Sequence, residues 1–185
     1  MAKNSFGSED KYLKSVLILK IQMLLFIQKQ KNDLDEKIKK YVDENLSQEF
    51  SIVTSIAGVG QNTAEKFLIE IGEDINIYKS HKQLRAFMGM DPTIKQSGSS
   101  INVNGKISKR GNAHLRRTLW QMASAVKRYS PTFEEYYQKK RNEDKKYKQA
   151  VIAVANKLIK TLYALLKNKS HYSENYRNQL KVIYN

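Results

Sequence analysis

SIVTSIAGVGQNTAEKFLIEIG, residues 51–72, reads as two helices joined by a glycine turn. An apolar helix ends at Ile56, Gly58-Val59-Gly60 makes the reversal, and a second helix starts near Asn62. Its Ala64, Phe67, Leu68 and Ile71 share one face, the spacing of a helix packed on one side. Glycine tolerates the backbone angles that so tight a turn needs. Helical periodicity continues on both sides of this hairpin, and the fold class expected is all-α. Upstream, residues 10–45 form one long amphipathic helix with Leu17, Leu24, Ile27, Leu34, Ile38 and Tyr41 in a stripe that Lys31 breaks once. Two to three heptads suit either a coiled coil or a helical hairpin.

Downstream, Ser80 and Gln83 form a capping box that opens a helix stopped at Gly89, with Leu84, Phe87 and Met88 expected in the core. Asp91-Pro92 leads into a loop over residues 93–104, rich in Ser, Gly, Asn and Lys. Asn112 caps the next helix, which carries Leu115, Leu119, Met122 and Val126 on one face. Ser130-Pro131 opens another, with Phe133, Tyr136 and Tyr137. Residues 148–167 form the last, its broad apolar face running from Val151 to Leu166. At most a small β-ribbon is expected at residues 101–107, and a loosely held tail after Ser170. The domain reading is therefore a linker and amphipathic helix (1–45), a helical domain (46–170) and a polar tail (171–185).

The absence of cysteine among 185 residues excludes disulfides and thiolate zinc sites, and fits the cytoplasm. No run approaches the ~18 consecutive apolar residues of a membrane span. His81, His114 and His171 lie far apart with no acid at metal-ligand spacing, so no metal is assigned to this chain. The net charge of +15 is unevenly placed: +1 over residues 1–50, −1 over 51–92, +10 over 93–148 and +5 over 149–185. Solubility alone would spread it, whereas a polyanion partner explains the concentration.

The charge begins at SGSSINVNGKISKRGNAHLRR, residues 97–117. A serine hydroxyl is a weak nucleophile until a base or nearby cations help it. Phosphoryl transfer places extra negative charge on oxygen, which Lys106, Lys109, Arg110, Arg116 and Arg117 could stabilise. Ser97, directly before Gly98, is the candidate hydroxyl; on chemistry alone this stretch also reads as an ordinary loop. The Gly58-Val59-Gly60 turn looks like a helix–hairpin–helix, in which backbone N–H groups at the following helix start receive a phosphate. Such a contact reads backbone and not bases. A structural turn is the alternative.

The order AGVG, LRAFMGMDP, SG, GKISKRGNAHLRRTLW and AVIAVANKLIKTLYALLKN resembles the carboxy-terminal domain of the insertion-sequence transposases related to pilin-gene invertases, which are guided by a bridge RNA. The resemblance covers roughly residues 46–170. It implies a DNA-recombining domain in which Ser97 becomes transiently bonded to DNA. A RuvC-like amino-terminal domain with four acidic ligands for magnesium completes the site across an oligomer. The implied partners are DNA, a guide-like RNA, further copies of the chain and that acidic domain, with no membrane. This chain starts where the acidic domain would end, so the expectation is nucleic-acid binding without recombination by the chain alone. The rival readings are a non-catalytic nucleic-acid-binding module and a helical oligomerisation module whose charge serves solubility.

Overall fold

The computed structural model describes residues 11–91, 96–97, 100–101 and 107–174. The chain divides into two compact units, residues 1–40 and residues 41–185. Helix α1 (Lys11–Asn45) contains neither glycine nor proline and is rich in Leu, Lys, Gln and Glu, all good helix formers. Within the first unit its apolar stripe is open: Leu17, Leu24, Ile27 and Leu34 are each more than half exposed. Lys31, the residue that interrupts the stripe, is held by Asp35 one turn on, at 2.7 Å.

The second unit holds α2 (Ser47–Thr54), α3 (Gln61–Ile71), a 3-10 turn (Ile75–Ile77), α4 (His81–Phe87), α5 (Ala113–Tyr129), α6 (Pro131–Asn142) and α7 (Tyr147–Asn168). The fold is all-α, as the periodicity requires. Helix α7 is its centre and packs on α2, α4, α5, α6 and the 3-10 turn. Val151, Val154, Ala155, Leu158, Ile159 and Leu162 are fully buried there. The α7 segment is long and apolar enough to cross a membrane, and that apolar face forms the centre of this core. Around it Leu115, Leu119, Met122 and Val126 of α5 and Phe133 of α6 are buried, matching the sequence pattern. The Asn112 side chain accepts from Leu115 N–H at 3.0 Å and caps α5, while its amide nitrogen donates to Glu70 of α3.

The structure departs from the sequence reading in three places. The β pairing lies at residues 96–101, where β1 (Gln96–Ser97) runs antiparallel to β2 (Ser100–Ile101) with Ser97 opposite Ser100. Only Ile101 and Ile107, the latter in an isolated bridge, fall in the expected range; residues 102–106 lie outside the described set. Second, Phe87 is 40% exposed, because it ends a short helix beside Tyr78 (ring centroids 5.6 Å apart) while Leu84 and Met88 take the core positions.

Third, the start of the supposed tail is docked. His171 Nε2 lies 2.6 Å from Ser51 Oγ, and Tyr172 N–H donates to Ser55 Oγ at 2.8 Å. Glu174 accepts from the Ser130 hydroxyl and from both the hydroxyl and N–H of Thr132. Burial works to raise the Glu174 carboxyl, but the hydrogen bonds from Ser130, Thr132 and Tyr172 outweigh it and hold its pKa below the usual carboxylate value. A carboxyl lowered on folding stabilises above its unfolded pKa, and that contribution is lost as pH falls through the folded value. Acidification below about pH 4 should therefore release residues 171–174. Hydrogen exchange at the Thr132 amide reads this, and Glu174→Gln should remove the acid step; a step that persists in the variant would discount the carboxylate.

Candidate nucleic-acid interface

Two backbone segments remote in sequence lie against each other in front of α5. Ser108 N–H donates to Asp91 C=O at 2.8 Å, Lys109 N–H to Gly89 C=O at 3.0 Å, and Asn112 N–H to Phe87 C=O at 2.8 Å. The Ser108 hydroxyl adds a bond to the Asp91 carboxylate at 2.6 Å. The approach is so close that a Cβ on Gly111 would lie 2.1 Å from Phe87 O and 2.3 Å from Gly89 N. Gly89 itself has φ +65° and faces Gly111 N in the same way. These bonds bring the ends of the segment 92–107 together at Asp91 and Ser108.

Ser97 therefore springs from a pinned base. It sits in β1, and its side chain lies outside the described residues. Six residues of fully extended chain span at most about 20 Å, which bounds the distance of Ser97 from Asp91. Immediately beyond the base, Lys109 has φ 57° and is exposed, as is Arg110. Both precede the N-terminus of α5, whose first turn has no acid, so the helix's partial positive charge adds to theirs. Arg117 is exposed one turn along.

Arg116 has a bond within the fold that its charge alone did not suggest. It is half-buried, and its Nη1 donates to Met88 C=O at 3.1 Å and approaches Gly111 O at 3.5 Å. One end of this guanidinium thus ties the two segments together. Lys106 lies outside the described residues.

In the hairpin, α2 and α3 pack together around the turn, and each turn residue has its own surroundings. Gly58 has φ +94° and presses on α5, where a Cβ would meet Val126 Cα at 2.9 Å and Ala125 O at 3.0 Å. Val59 is buried. Gly60 alone of the three is exposed, at the N-cap of α3, where Thr63 N–H bonds back to Gly60 C=O at 3.1 Å and the N–H groups of Gln61 and Asn62 precede any helical acceptor. So packing accounts for Gly58 and Val59, and Gly60 stands where an anion could meet the helix start. Sequence reading missed the Gly89–Gly111 contact and the Ser108–Asp91 bond: it took Gly89 as a helix stop and Asp91 as the entry to a loop, and singled out neither Ser108 nor Gly111. Among the described residues no three His, Cys, Asp or Glu side chains are grouped as a metal would need, so these residues do not fit a magnesium site.

Residues 50–138 match the sequence model of the Transposase IS116/IS110/IS902 family. The chain is 32% identical to the 43.6 kDa protein of insertion element IS110 from Streptomyces coelicolor, over 65% of this chain and 29% of that protein. It is 30% identical to the pilin gene-inverting protein of Moraxella bovis, over 76% of this chain and 44% of the relative. It is 31% identical to a protein of insertion element IS900 from Mycobacterium paratuberculosis, over 65% and 30%. The chain thus spans less than half the length of each of these relatives. The matched stretch runs from the α2–α3 hairpin through the pinned segment to α6, so the glycine contact, the loop base and the basic start of α5 all lie in the part of the chain that is similar to the IS116/IS110/IS902 transposase family.

Proposed function

We propose that the chain is the DNA-binding and strand-transfer part of an insertion-sequence transposase or recombinase. Ser97 is its nucleophile: Oγ bonds to the scissile phosphorus, the phosphorus–oxygen bond to one deoxyribose breaks, and the hydroxyl proton ends on that departing oxygen. The observation that carries this reading is the loop base, because the Asp91–Ser108 pinning roots the Ser97 segment beside exposed Lys109 and Arg110. Cations there favour the negative charge that develops on the phosphoryl oxygens. Acidic residues and magnesium come from a RuvC-like domain, and a guide-like RNA is a further partner. The open apolar stripe of α1 pairs copies of the chain, and sedimentation showing a monomer at tens of micromolar (~10⁻⁵ M) would remove that element. The test is to combine the chain with a RuvC-like domain and element-end DNA and to map any denaturation-resistant adduct by mass spectrometry. Attachment to the peptide containing Ser97 is expected, and attachment elsewhere would refute the assignment.

We read the cations as divided by task, Arg116 bracing the fold and Lys109, Arg110 and Arg117 facing the nucleic acid. Lys109→Gln, Arg110→Gln and Arg117→Gln should each leave stability within about 0.5 kcal/mol. Each should weaken DNA binding and lower the slope of log K against log salt by roughly 1. Arg116→Gln should instead cost about 1.5–3 kcal/mol of stability, having removed a charged donor from the Met88 carbonyl. Urea melts and salt titrations check both, and four indistinguishable variants would refute the division.

A further inference from the structure

A second cationic site lies outside the segment described above. A cleft of about 480 Å³ opens between α4, α6 and α7. Its lining includes His81 and Arg85 from α4, Tyr136 from α6, and Asn156, Lys157 and Lys160 from α7, and none of the described lining residues is acidic. Like charges gathered in one concavity repel, and an anion between them relieves that cost. The effect is visible at His81, whose pKa lies below the usual value through burial and the fields of Lys160, Arg85 and Lys82.

Two lining residues also carry a buried polar atom without a hydrogen-bond partner, Arg85 Nε and Asn156 Oδ1. Arg85 Nε–H is a donor, and a buried donor without an acceptor calls for a ligand. Lys157 is a fixed charge on the wall: it donates to Thr132 C=O at 2.9 Å and lies over the Tyr136 ring at 4.8 Å. With Lys140 also 5.3 Å from that ring, Tyr136 is engaged by ammonium groups and not offered for base stacking. The chemistry suits a phosphate and not a base.

We propose that this cleft holds a backbone phosphate of the bound nucleic acid, a second anchor made of residues other than those at the start of α5. The proposal rests on the reading that the chain binds nucleic acid, and the test keeps the two apart. Binding of a duplex oligonucleotide to the full chain is measured across a salt series for wild type, for Arg85→Gln with Lys160→Gln, and for Lys109→Gln with Arg110→Gln. The cleft pair should lose affinity several-fold and about 1 in salt slope. An unchanged cleft pair beside a weakened Lys109/Arg110 pair would overturn the cleft and leave the broader reading intact. Absence of wild-type binding would overturn the nucleic-acid reading, and the anchor as a nucleic-acid contact with it.

Inorganic phosphate added while the His81 ring resonances are followed by NMR distinguishes a free phosphate ligand. A titrating shift that vanishes in the Arg85/Lys160 pair supports an anion site, and no shift in wild type overturns it. Asn156→Asp guards against a folding artefact, since it gives the cations a resident carboxylate. It should raise the unfolding midpoint while weakening binding, and a higher midpoint with unchanged binding counts against the proposal.

Discussion

Gly111→Ala should unfold at markedly lower urea than the parent chain, with a loss of about 3–5 kcal/mol. The added methyl would lie 2.1 Å from Phe87 O, 2.3 Å from Gly89 N and 2.7 Å from Met88 C. All three are backbone atoms, so no flexible side chain can swing aside. Overpacking alone costs about 1–3 kcal/mol, and separating the segments also lengthens the Asn112–Phe87 and Lys109–Gly89 hydrogen bonds, each worth about 1 kcal/mol. That is a large fraction of the roughly 5–15 kcal/mol that holds a domain folded. Gly60→Ala is the contrast: its φ is −81° and the nearest atom to its added Cβ is Thr63 Oγ1 at 3.9 Å. It should change stability by no more than about 0.5 kcal/mol. Equal midpoints for Gly111→Ala and the parent chain would refute the close approach.

Ser97→Ala should abolish the protein–DNA adduct while leaving DNA affinity within about two-fold, since one neutral hydroxyl adds nothing to counterion release. Removing a nucleophile that forms the covalent bond costs at least about 10⁴-fold, whereas losing one hydrogen bond to phosphate costs about ten-fold. The magnitude therefore separates catalysis from mere contact. Ser99→Ala and Ser100→Ala are the neighbours that matter, for Ser100 stands directly opposite Ser97 across the β pair. Both should keep the adduct. Its survival in Ser97→Ala, or its loss in Ser100→Ala instead, would move the reaction off Ser97.

Helices were legible because burial writes a period into the chain. The Leu115-Leu119-Met122-Val126 face, the Asn112 cap and the α7 core face all stand where that period put them. Long-range backbone contact writes no such period. Gly89 read as a helix stop and Gly111 drew no reading of its own, and only the folded chain brings the two together. Arg116 was read for its charge alone, since that is visible in sequence and its carbonyl partner 28 residues away is not. Glu174 looked like tail composition until Ser130 and Thr132 gathered around it. Ser97 was singled out mainly by family resemblance, as a lone serine beside glycine carries little chemical signal of its own.

Because Asp91 and Ser108 are bonded to each other, the helices on either side already know their positions before residues 92–107 are counted. Closing a longer excursion from such a stem adds only about 0.6 kcal/mol per doubling of length. Extra length between Asp91 and Ser108 would thus cost the helices on either side little, so the reach of whatever this stem carries could change while the scaffold stays still.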